Sequence, residues 1–285
     1  MVELKELSTE ERPNWCPGCG DFGILNSLKR AIVSSDLKPH EVLIVSGIGC
    51  SSKLPHWIRT YGFHGIHGRT LPVAIGAKLS NHKLKVVAIA GDGDCYGIGI
   101  GHFIHSMRRN VDLTLIVHNN MVYGLTTGQT SPTSEMGFKT KSTPLGSPEI
   151  PINPLSLAIV SGATFVSRGY AKDIRHLSNL MEEAMRHRGF ALVDVLQPCV
   201  TFNKINTYEF YNERVYKLED EDYSPDDKSK ALLKAEEWGE RIPTGIFFKE
   251  LKPTLEDYMV AISEKPLVEH EIENVNIQDA MKRFI

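Results

Sequence analysis

Four of the five cysteines in this 285-residue chain stand where a shared metal site could form. Cys16 and Cys19 lie three residues apart in the stretch NWCPGCGDFG, while Cys50 and Cys199 each follow a short apolar run. Two cysteines cannot complete a metal site, but four thiolates suit either a structural zinc ion or an iron–sulfur cluster. We therefore expect the four to converge. The spacing alone leaves zinc, a cluster and a pair of free redox thiols open.

A second set of polar residues could hold Mg²⁺ and phosphate. The stretch GDGD begins at Gly91 and the pair NN ends at Asn120, and each motif begins as an apolar run ends. Asp92 precedes Asn120 by about one strand–helix–strand unit, so their strands should lie side by side. Carboxylate and amide oxygens are hard ligands that Mg²⁺ takes, with phosphate oxygens filling the remaining positions. Gly91 and Gly93 would let the backbone approach the phosphates, and the following helix N-terminus favours anions.

A parallel sheet is needed to bring these residues together, and the pattern of the chain predicts one. Short runs rich in Val, Ile and Leu, bounded by Gly, Asn, Asp or Pro, are typical of buried parallel strands. They alternate with helical spacing of apolar residues, which predicts an α/β fold with a doubly wound, mainly parallel sheet. Ligands bind such folds at the carboxyl edge. The predicted strands are 41–47, 84–94, 113–120, 163–169 and 190–198, and the predicted helices are 23–35, 70–82, 98–110, 153–162 and 171–189.

The remaining segments are a long loop and a tail. Residues 120–152 are rich in Gly, Pro, Thr and Ser, and a loop of that length in a compact domain is usually functional. Residues 206–285 contain acidic and aromatic stretches, with helices predicted near 225–239 and 272–283. We therefore predict an α/β domain over residues 1–205 that carries the candidate ligands, followed by a C-terminal extension, an appendage that could dock a partner.

Composition excludes several classes of protein. The chain is 41% hydrophobic and 24% charged, which is ordinary for a globular protein. No apolar run approaches the roughly 18 residues of a membrane span, and the charged N-terminus lacks the core of a secretory signal. We therefore expect a cytoplasmic protein without a membrane partner. The net charge is −3 and no basic stripe is present, so we expect no nucleic-acid partner.

The motifs together resemble a known family. GDG followed by NN resembles the diphosphate-anchoring motif of thiamine-diphosphate enzymes. The whole set is similar to the β subunits of 2-oxoacid:ferredoxin oxidoreductases, and WCPGCGDFG resembles the branch that acts on 2-oxoglutarate or on a broad range of 2-oxoacids. One departure is Cys95, where a smaller residue is commoner, and we expect it to pack in the core. The matching stretches are WCPGCGDFGIL, GIGCSSKLP, HGIHGRTLPVAIGAKL, GDGD, HFIHSMRRN, NNMVYGLTTGQTSPT and DVLQPCVTFN, over roughly residues 12–205.

The resemblance implies three cofactors: thiamine diphosphate, Mg²⁺ and a [4Fe–4S] cluster. It implies that the side chains of Asp92 and Asn120 and the carbonyl of Val122 bind Mg²⁺, and that the four cysteines, Cys16, Cys19, Cys50 and Cys199, bind the cluster. Thiamine chemistry on a 2-oxoacid releases electrons that a cluster can carry, whereas zinc has no redox chemistry. The cluster is therefore favoured over zinc. The further cofactor contacts that the resemblance implies are Ile48, Gly49, Cys50, Ser51, His67, Gly93, Asp94, Gly124 and Leu125.

Two further residues are candidate catalytic groups. Lys53 follows Cys50 by three residues, and its ammonium could attract the substrate carboxylate or stabilise developing charge. His67 resembles the family residue that faces thiamine. The ordinary alternatives are a solvated lysine and a histidine of the core or of a helix start. Arg69 could cap the helix that begins at Thr70 or meet a partner chain, and the sequence leaves both open.

The implied function is that of an oxidoreductase subunit. The reaction would be the CoA-dependent oxidative decarboxylation of a 2-oxoacid, 2-oxoglutarate or pyruvate or both, with electrons passed to ferredoxin. Thiamine enzymes bind their cofactor between two domains and this chain has one, so we expect activity only with a partner α chain or a fused γα chain. The alternatives are a non-oxidative thiamine-dependent decarboxylase or synthase subunit with a structural zinc, and a non-enzymatic zinc-binding scaffold.

Overall fold

The computed structural model describes residues 2–271, 273 and 276–284. Helices and strands alternate along most of this range. The strands are β1 (Val42–Ser46), β2 (Tyr61–His64), β3 (Lys85–Gly91), β4 (Leu113–Asn119), β5 (Val122–Tyr123), β6 (Gln129–Thr130), β7 (Phe165–Tyr170), β8 (Phe190–Leu196), β9 (Val215–Lys217) and β10 (Ile242–Lys249). The helices are α1 (Asp21–Ser34), α2 (Thr70–Ser80), α3 (Ile100–Arg109), α4 (Pro154–Ser161), α5 (Ile174–Arg186), α6 (Tyr208–Arg214), α7 (Lys228–Ala235) and α8 (Gln278–Met281).

One sheet dominates the fold, with the strand order β2-β1-β3-β4-β8-β7-β10-β9. The first six of these strands run parallel, with Ile89 of β3 beside Ile116 of β4 and Ile116 beside Val193 of β8. The predicted doubly wound, mainly parallel α/β fold is therefore confirmed. β5 and β6 form a separate small hairpin within the long loop.

Helices cover both faces of the sheet. On one face α1 and α5 bury Ile24, Leu28 and Met181 against the sheet, and on the other α3 contributes the fully buried Phe103 and Met107. Each such side chain stabilises the fold by roughly 1.5–3 kcal/mol. Because helices occupy both faces, the free edge at the carboxyl ends of the strands is where polar residues can gather.

The predicted core elements are all present, with ends displaced by up to three residues. Five strands were not predicted. Three are short pieces of two or three residues, β5, β6 and β9. The other two are the edge strand β2, whose residues are exposed, and β10. β10 has the sequence IPTGIFFK, in which a proline and a glycine interrupt the apolar run. Among the described helices, none combines the length and apolar character that a membrane span requires.

The C-terminal extension shares the sheet of the core. β10 pairs antiparallel with β7, and its Phe247 is fully buried in the core. The expectation of an appendage was therefore incomplete, because a strand of the extension is a sheet member; the boundary at residue 205 stays a prediction. α7 lies within the predicted helix 225–239. Of the helix predicted near 272–283, residues 272, 274 and 275 lie outside the described residues, and α8 covers only its end.

Candidate functional site

A cavity of about 250 Å³ opens at the carboxyl edge of the sheet, where the chain leaves β1, β3 and β4. β1 and β3 are neighbours in the sheet, so the segments that follow them meet at this edge. The cavity is lined by every residue predicted to contact Mg²⁺ or thiamine diphosphate, namely Ile48, Gly49, Cys50, Ser51, His67, Asp92, Gly93, Asp94, Asn120, Val122, Gly124 and Leu125.

Asp92 is one of two buried acids that line this cavity, and Asp94 is the other. One of the Asp92 carboxylate oxygens accepts hydrogen bonds from the hydroxyls of Ser131 and Thr133, the latter at 2.7 Å. Burial raises the pKa of the Asp92 carboxyl to about 6. No lysine or arginine of the described chain lines the cavity, so a bound cation would supply the missing positive charge.

The two neighbouring asparagines have different surroundings. Asn119 is buried, its amide nitrogen donates to Asp194 at 3.3 Å, and its side-chain oxygen lies 2.9 Å from the Thr133 hydroxyl, whose one proton it shares with Asp92. Asn120 lines the cavity, and its side-chain oxygen accepts from the backbone N–H of Val122 at 3.1 Å. Met121, which lies between Asn120 and Val122 in the chain, has a φ of 59°. This left-handed conformation is unfavourable for residues other than glycine. This strained turn keeps Asn120 and Val122 on the cavity wall.

Asp94 joins two loops through its side chain. Its Oδ1 accepts from the backbone N–H groups of Ile48 at 3.2 Å and Gly68 at 2.7 Å, and Oδ2 accepts from the Thr70 hydroxyl at 3.1 Å. The close approach requires glycine at position 47, where a Cβ would lie 2.0 Å from Asp94 Oδ2. We predicted only a backbone contact to the cofactor here, so the carboxylate's structural role was missed.

His67 is oriented by the same carboxylate. Its Nδ1 lies 2.7 Å from Asp94 Oδ1, which fixes the ring with Nδ1 as the donor. The ring is 6.2 Å from that of Tyr123 across the cavity mouth, and its side chain is 40% exposed. The other ring nitrogen is therefore left for a bound molecule. A core histidine does not fit this exposure, but the alternative of a histidine at a helix start stays open because α2 begins at Thr70, so the catalytic role of His67 stays a prediction.

The four cysteines surround an adjoining cavity of about 190 Å³. The backbone N–H of Cys19 donates to the carbonyl of Cys16 at 2.9 Å, which closes the turn of the N-terminal loop. Trp15 Nε1 donates to the carbonyl of Cys50 at 2.7 Å, and this bond holds the loop over the strand end. Cys199 follows β8 and completes the wall. The structure thus brings together the four cysteines that we expected to converge.

The arrangement of these thiols bears on which metal group they could hold. Within the described residues, no three His, Cys, Asp or Glu side chains are close enough to share a single metal ion. Four thiolates around one cavity suit a structural zinc ion or an iron–sulfur cluster. Burial raises the pKa of the Cys19 thiol and raises that of Cys50 to about 11, so metal binding must displace their protons.

The two cavities share a wall. Cys50, Asn120, Gly124 and Leu125 line both of them. A Cβ at Gly124 would lie 3.7 Å from the sulfur of Cys50 and 3.7 Å from that of Cys199. The cysteine site and the Asp92 site are therefore separated by one layer of residues.

Some predicted residues lie outside the Asp92 cavity. Lys53 lines the cysteine side, where its Nζ is 3.3 Å from Asn14 Oδ1, and its role with substrate stays a prediction. Cys95 is buried in the core on the other side of β3, as expected. Arg69 precedes α2 but makes no capping hydrogen bond; its Nη1 donates to the Gly68 carbonyl at 3.1 Å.

Three residues of the site carried little signal in the sequence. Ser131 and Thr133, which bind Asp92, lie in the polar stretch TSPTS, whose hydroxyls gave no reason to choose these two. Asn203 donates to the backbone carbonyl of Asn120 at 3.0 Å and so links the chain after Cys199 to the Asp92 cavity. Its partner is 83 residues away, a distance at which spacing predicts nothing.

Two family models match the chain in succession. Residues 47–195 match the thiamine pyrophosphate enzyme, C-terminal TPP binding domain. Residues 199–264 match the C-terminal part of the pyruvate ferredoxin oxidoreductase beta subunit. The first match spans the strand ends that form the Asp92 cavity, and the second begins at Cys199 and includes β10.

Relatives and a solved structure resemble nearly the whole chain. The 2-oxoacid:ferredoxin oxidoreductase subunit beta of Saccharolobus solfataricus is 55% identical over 85% of this chain and 84% of its own length. The 2-oxoacid:ferredoxin oxidoreductase 1, subunit beta, of Aeropyrum pernix is 51% identical over 87% of this chain and 82% of its own. The 2-oxoglutarate:ferredoxin oxidoreductase from Magnetococcus marinus, solved with 2-oxoglutarate, coenzyme A and succinyl-CoA bound, superposes with a TM-score of 0.91 at 38% identity, covering 99% of this chain and 96% of that one.

Proposed function

Because the chain belongs to the β subunits of the 2-oxoacid:ferredoxin oxidoreductases, we propose that its two adjoining cavities hold thiamine diphosphate with Mg²⁺ and a [4Fe–4S] cluster. The chain is a subunit of an oxidoreductase that acts with partner subunits. The observation that carries the proposal is the shared wall of Cys50, Asn120, Gly124 and Leu125, which sets a cofactor cavity against a four-cysteine cavity.

The Asp92 cavity fits Mg²⁺ and a diphosphate. Asp92 and Asn120 present hard oxygens, and the carbonyl of Val122 is the third proposed ligand. Glycine is required at position 93 because the Tyr123 ring packs against it, and a Cβ there would lie 2.2 Å from that ring. The backbone of Gly93, Asp94, Gly124 and Leu125 would bind the phosphate oxygens, helped by the partial positive charge of the turn that follows β3.

In the cysteine cavity a cluster is favoured over a zinc ion, because the thiamine chemistry proposed next to it releases electrons and zinc has no redox chemistry. Cys16, Cys19, Cys50 and Cys199 enclose it, and Gln197 donates to the Cys19 sulfur at 3.3 Å, as donors near cluster sulfurs do. When both groups are bound, the thiamine supplies decarboxylation of a 2-oxoacid and the cluster supplies one-electron transfer. The chain itself would hold the two groups one residue layer apart.

The proposed substrates are a 2-oxoacid, 2-oxoglutarate or pyruvate, and CoA, with ferredoxin as the electron acceptor. Lys53 offers the cationic group for a substrate carboxylate, on the cysteine side of the shared wall. His67, with Nδ1 bound to Asp94, presents its other nitrogen to the cofactor cavity. The mouth of that cavity carries exposed Ile48 and Leu125, which a partner α chain would cover.

Anaerobic co-purification with the partner chain tests the proposal. We expect about four irons with acid-labile sulfide per β subunit, Mg²⁺-dependent binding of thiamine diphosphate, and a reduced-cluster or radical signal in electron paramagnetic resonance after addition of 2-oxoglutarate or pyruvate. Zinc in place of iron, with carbon dioxide still released from the 2-oxoacid, would instead identify the non-oxidative decarboxylase. Iron without thiamine-diphosphate binding would contradict the Asp92 assignment alone.

A further inference from the structure

A third cavity, of about 200 Å³, lies between the core and the C-terminal extension. Its walls come from the end of β4, the segment 133–154, β7 and the end of α7. It does not include any of the four cysteines, Asp92 or the other residues proposed to touch thiamine diphosphate. Its volume suits a small metabolite.

Arg168 of β7 is the buried cation of this cavity. The residue is 3% exposed, and within the described chain its Nε and Nη1 are enclosed and reach no hydrogen-bond acceptor. Nη2 also donates to no described residue, and it is the nitrogen left to meet a ligand in the cavity. Asp194 lies 3.7 Å from Nε, which balances charge but is too long for a hydrogen bond. The guanidinium is held between the rings of Trp238 and Phe247, at 5.5 and 5.6 Å from their centroids. A buried guanidinium with unused donors is the group that carboxylates bind best.

Two carboxylates line the same cavity. Glu135 accepts hydrogen bonds on Oε1 from Asn206 and Trp238, both at 3.3 Å. Glu236 accepts on Oε1 from Ser156 and Asn153. Within the described residues, the second oxygen of each has no hydrogen-bond donor. The cavity therefore combines one buried cation, already balanced by Asp194, with two acidic groups on the rim.

This charge pattern selects the class of ligand. An anion would be repelled by Glu135 and Glu236, and a simple cation would meet Arg168 and leave its donors unused. A zwitterion meets both requirements. The apolar surfaces of Met121, Ile152 and the Trp238 ring leave space for a short side chain.

We propose that this cavity binds a small neutral α-amino acid, with its carboxylate on Arg168 and its ammonium group toward Glu135 and Glu236. The site lies within the chain, between β7 and the extension, and is separate from the proposed cofactor cavities. Amino acids of this kind are formed from 2-oxoacids by amination. Occupancy of the site would therefore depend on the concentration of the amino acids made from the enzyme's class of substrate.

The cavity is connected to the proposed magnesium site through two side chains. Thr133 and Asn119 line it, and the Thr133 hydroxyl lies 2.7 Å from the Asp92 carboxylate and 2.9 Å from the Asn119 side-chain oxygen. A ligand that shifts Thr133 therefore changes the hydrogen bonding of Asp92. This coupling, unlike the binding itself, rests on the proposed function. By linkage, the amino acid and thiamine diphosphate must change each other's affinity by the same factor.

Calorimetric titration of the purified complex tests the binding. The probes are L-alanine, L-serine and L-glutamine, with propionate and ethylamine as ligands that carry only one of the two charges. We expect the amino acids to bind and the single-charge probes to bind at least tenfold more weakly. Equal binding of propionate, or no binding of any of the three amino acids by a complex that binds thiamine diphosphate normally, overturns the proposal and leaves a water-filled cavity.

Variants locate the bound amino acid. Glu236→Gln, at the exposed rim, should weaken binding about tenfold, because a hydrogen bond to a charged group is lost. Glu240→Gln makes the same chemical change at an exposed residue outside the cavity and should leave the affinity unchanged. Arg168→Met should abolish binding. It also leaves the buried Asp194 without its cation and could unfold the protein, so Glu236→Gln is the decisive variant. Equal affinities in Glu236→Gln and Glu240→Gln place the ligand elsewhere.

The coupling has its own measurement. Saturating L-alanine should change the Mg²⁺-dependent dissociation constant of thiamine diphosphate by about fivefold or more, and the reciprocal titration should give the same factor. Amino-acid binding with no effect on thiamine diphosphate would keep the site and refute the connection through Thr133. Loss of thiamine-diphosphate binding with intact amino-acid binding would instead contradict the proposed magnesium site.

Discussion

At the scale of single residues, the site depends on groups held in costly states. Asp92 is a buried acid whose charged form lacks a cation in the metal-free chain, and Met121 has a left-handed backbone beside the proposed ligands. Such strain at a binding site is stabilised by the surrounding fold and relieved by the ligand. Substitutions here should therefore separate stability from binding.

We predict that Asp92→Asn removes Mg²⁺-dependent thiamine-diphosphate binding while sparing the metal-free fold. The amide oxygen can still accept from Ser131 and Thr133, and the buried charge is gone. Because burial raises the Asp92 pKa to about 6, the folded state binds more protons than the unfolded state above about pH 4. The metal-free wild type should therefore lose stability as pH rises from about 4 to about 6, and the variant should lack this loss. Thermal unfolding in chelator across this range measures it.

The exposed Asp226→Asn serves as the matched control for that experiment. It should keep both the pH dependence and the cofactor affinity of the wild type. Unchanged thiamine-diphosphate affinity in Asp92→Asn would remove this residue from the proposed magnesium site.

The cysteines give a second residue-scale prediction. Cys16→Ser, Cys19→Ser, Cys50→Ser and Cys199→Ser should each lose most of the bound iron, since a cluster of this type needs four thiolates. Cys95→Ser is the matched control: it lies in the core rather than at the cysteine cavity and should keep the iron. Iron and sulfide analysis of anaerobically purified protein decides. A full cluster in Cys199→Ser would be the most damaging result, because that ligand lies farthest along the chain.

At the scale of elements, the regular core followed from the sequence and the exceptions have physical causes. The run LTLIV in β4 is buried on both faces, and α5 is buried on one face. Both patterns give a regular spacing of apolar residues, which the sequence shows. β2 is short and exposed, so its sequence has no such pattern. In β10 a proline and a glycine interrupt the apolar run, so the sequence does not predict a strand there. The predicted strand ends put Asp92 and Asn120 at one sheet edge, where the structure also has them. Ser131, Thr133 and Asn203 reach the site through the conformation of loops, which residue spacing cannot predict.

Packing of α1 against the sheet gives an element-scale prediction. Gly23 lies so close to β7 and its following turn that a Cβ would sit 2.0 Å from the carbonyl oxygen of Ala171. Gly23→Ala should therefore destabilise the protein by about 1–3 kcal/mol or more, since backbone must move. Gly76→Ala, at an exposed position of α2 with no atom within 4 Å of the new Cβ, should stabilise it by about 0.5–1 kcal/mol.

Urea unfolding of both glycine variants measures the difference. The two make the same chemical change in a helix, so intrinsic helix propensity cancels between them. If Gly23→Ala were as stable as Gly76→Ala, α1 would not pack as closely against the turn at Ala171 as the structure shows.

At the scale of the whole molecule, the extension is part of the folded unit. β10 pairs with β7, and Phe247 and Ile242 are fully buried. The α6 helix also reaches the cysteine loop, because the Tyr208 hydroxyl donates to the Gly18 carbonyl at 3.1 Å. Residues beyond 205 therefore contribute both to the stability of the fold and to the loop that carries Cys16 and Cys19.

We predict that a chain ending at residue 205 fails to fold, whereas one ending at Glu271 folds like the full chain. The shorter chain leaves one edge of β7 unpaired and exposes the core side of Phe165 and Val166. The longer one keeps β10 and the buried Ile262. Circular dichroism and a cooperative thermal transition distinguish them. A cooperative transition in the 205-residue chain would show that the α/β domain is independent.

The place of β10 in the sheet also has a consequence for synthesis on the ribosome. β8, the neighbour of β7, is complete at Leu196, but the strand that covers the other edge of β7 ends only at Lys249. At about 5–20 residues per second, the interval is roughly 3–10 s, during which one edge of β7 is unpaired. Nascent chains of this protein thus pass through a defined period in which edge-to-edge pairing with a neighbouring nascent chain competes with completion of their own sheet.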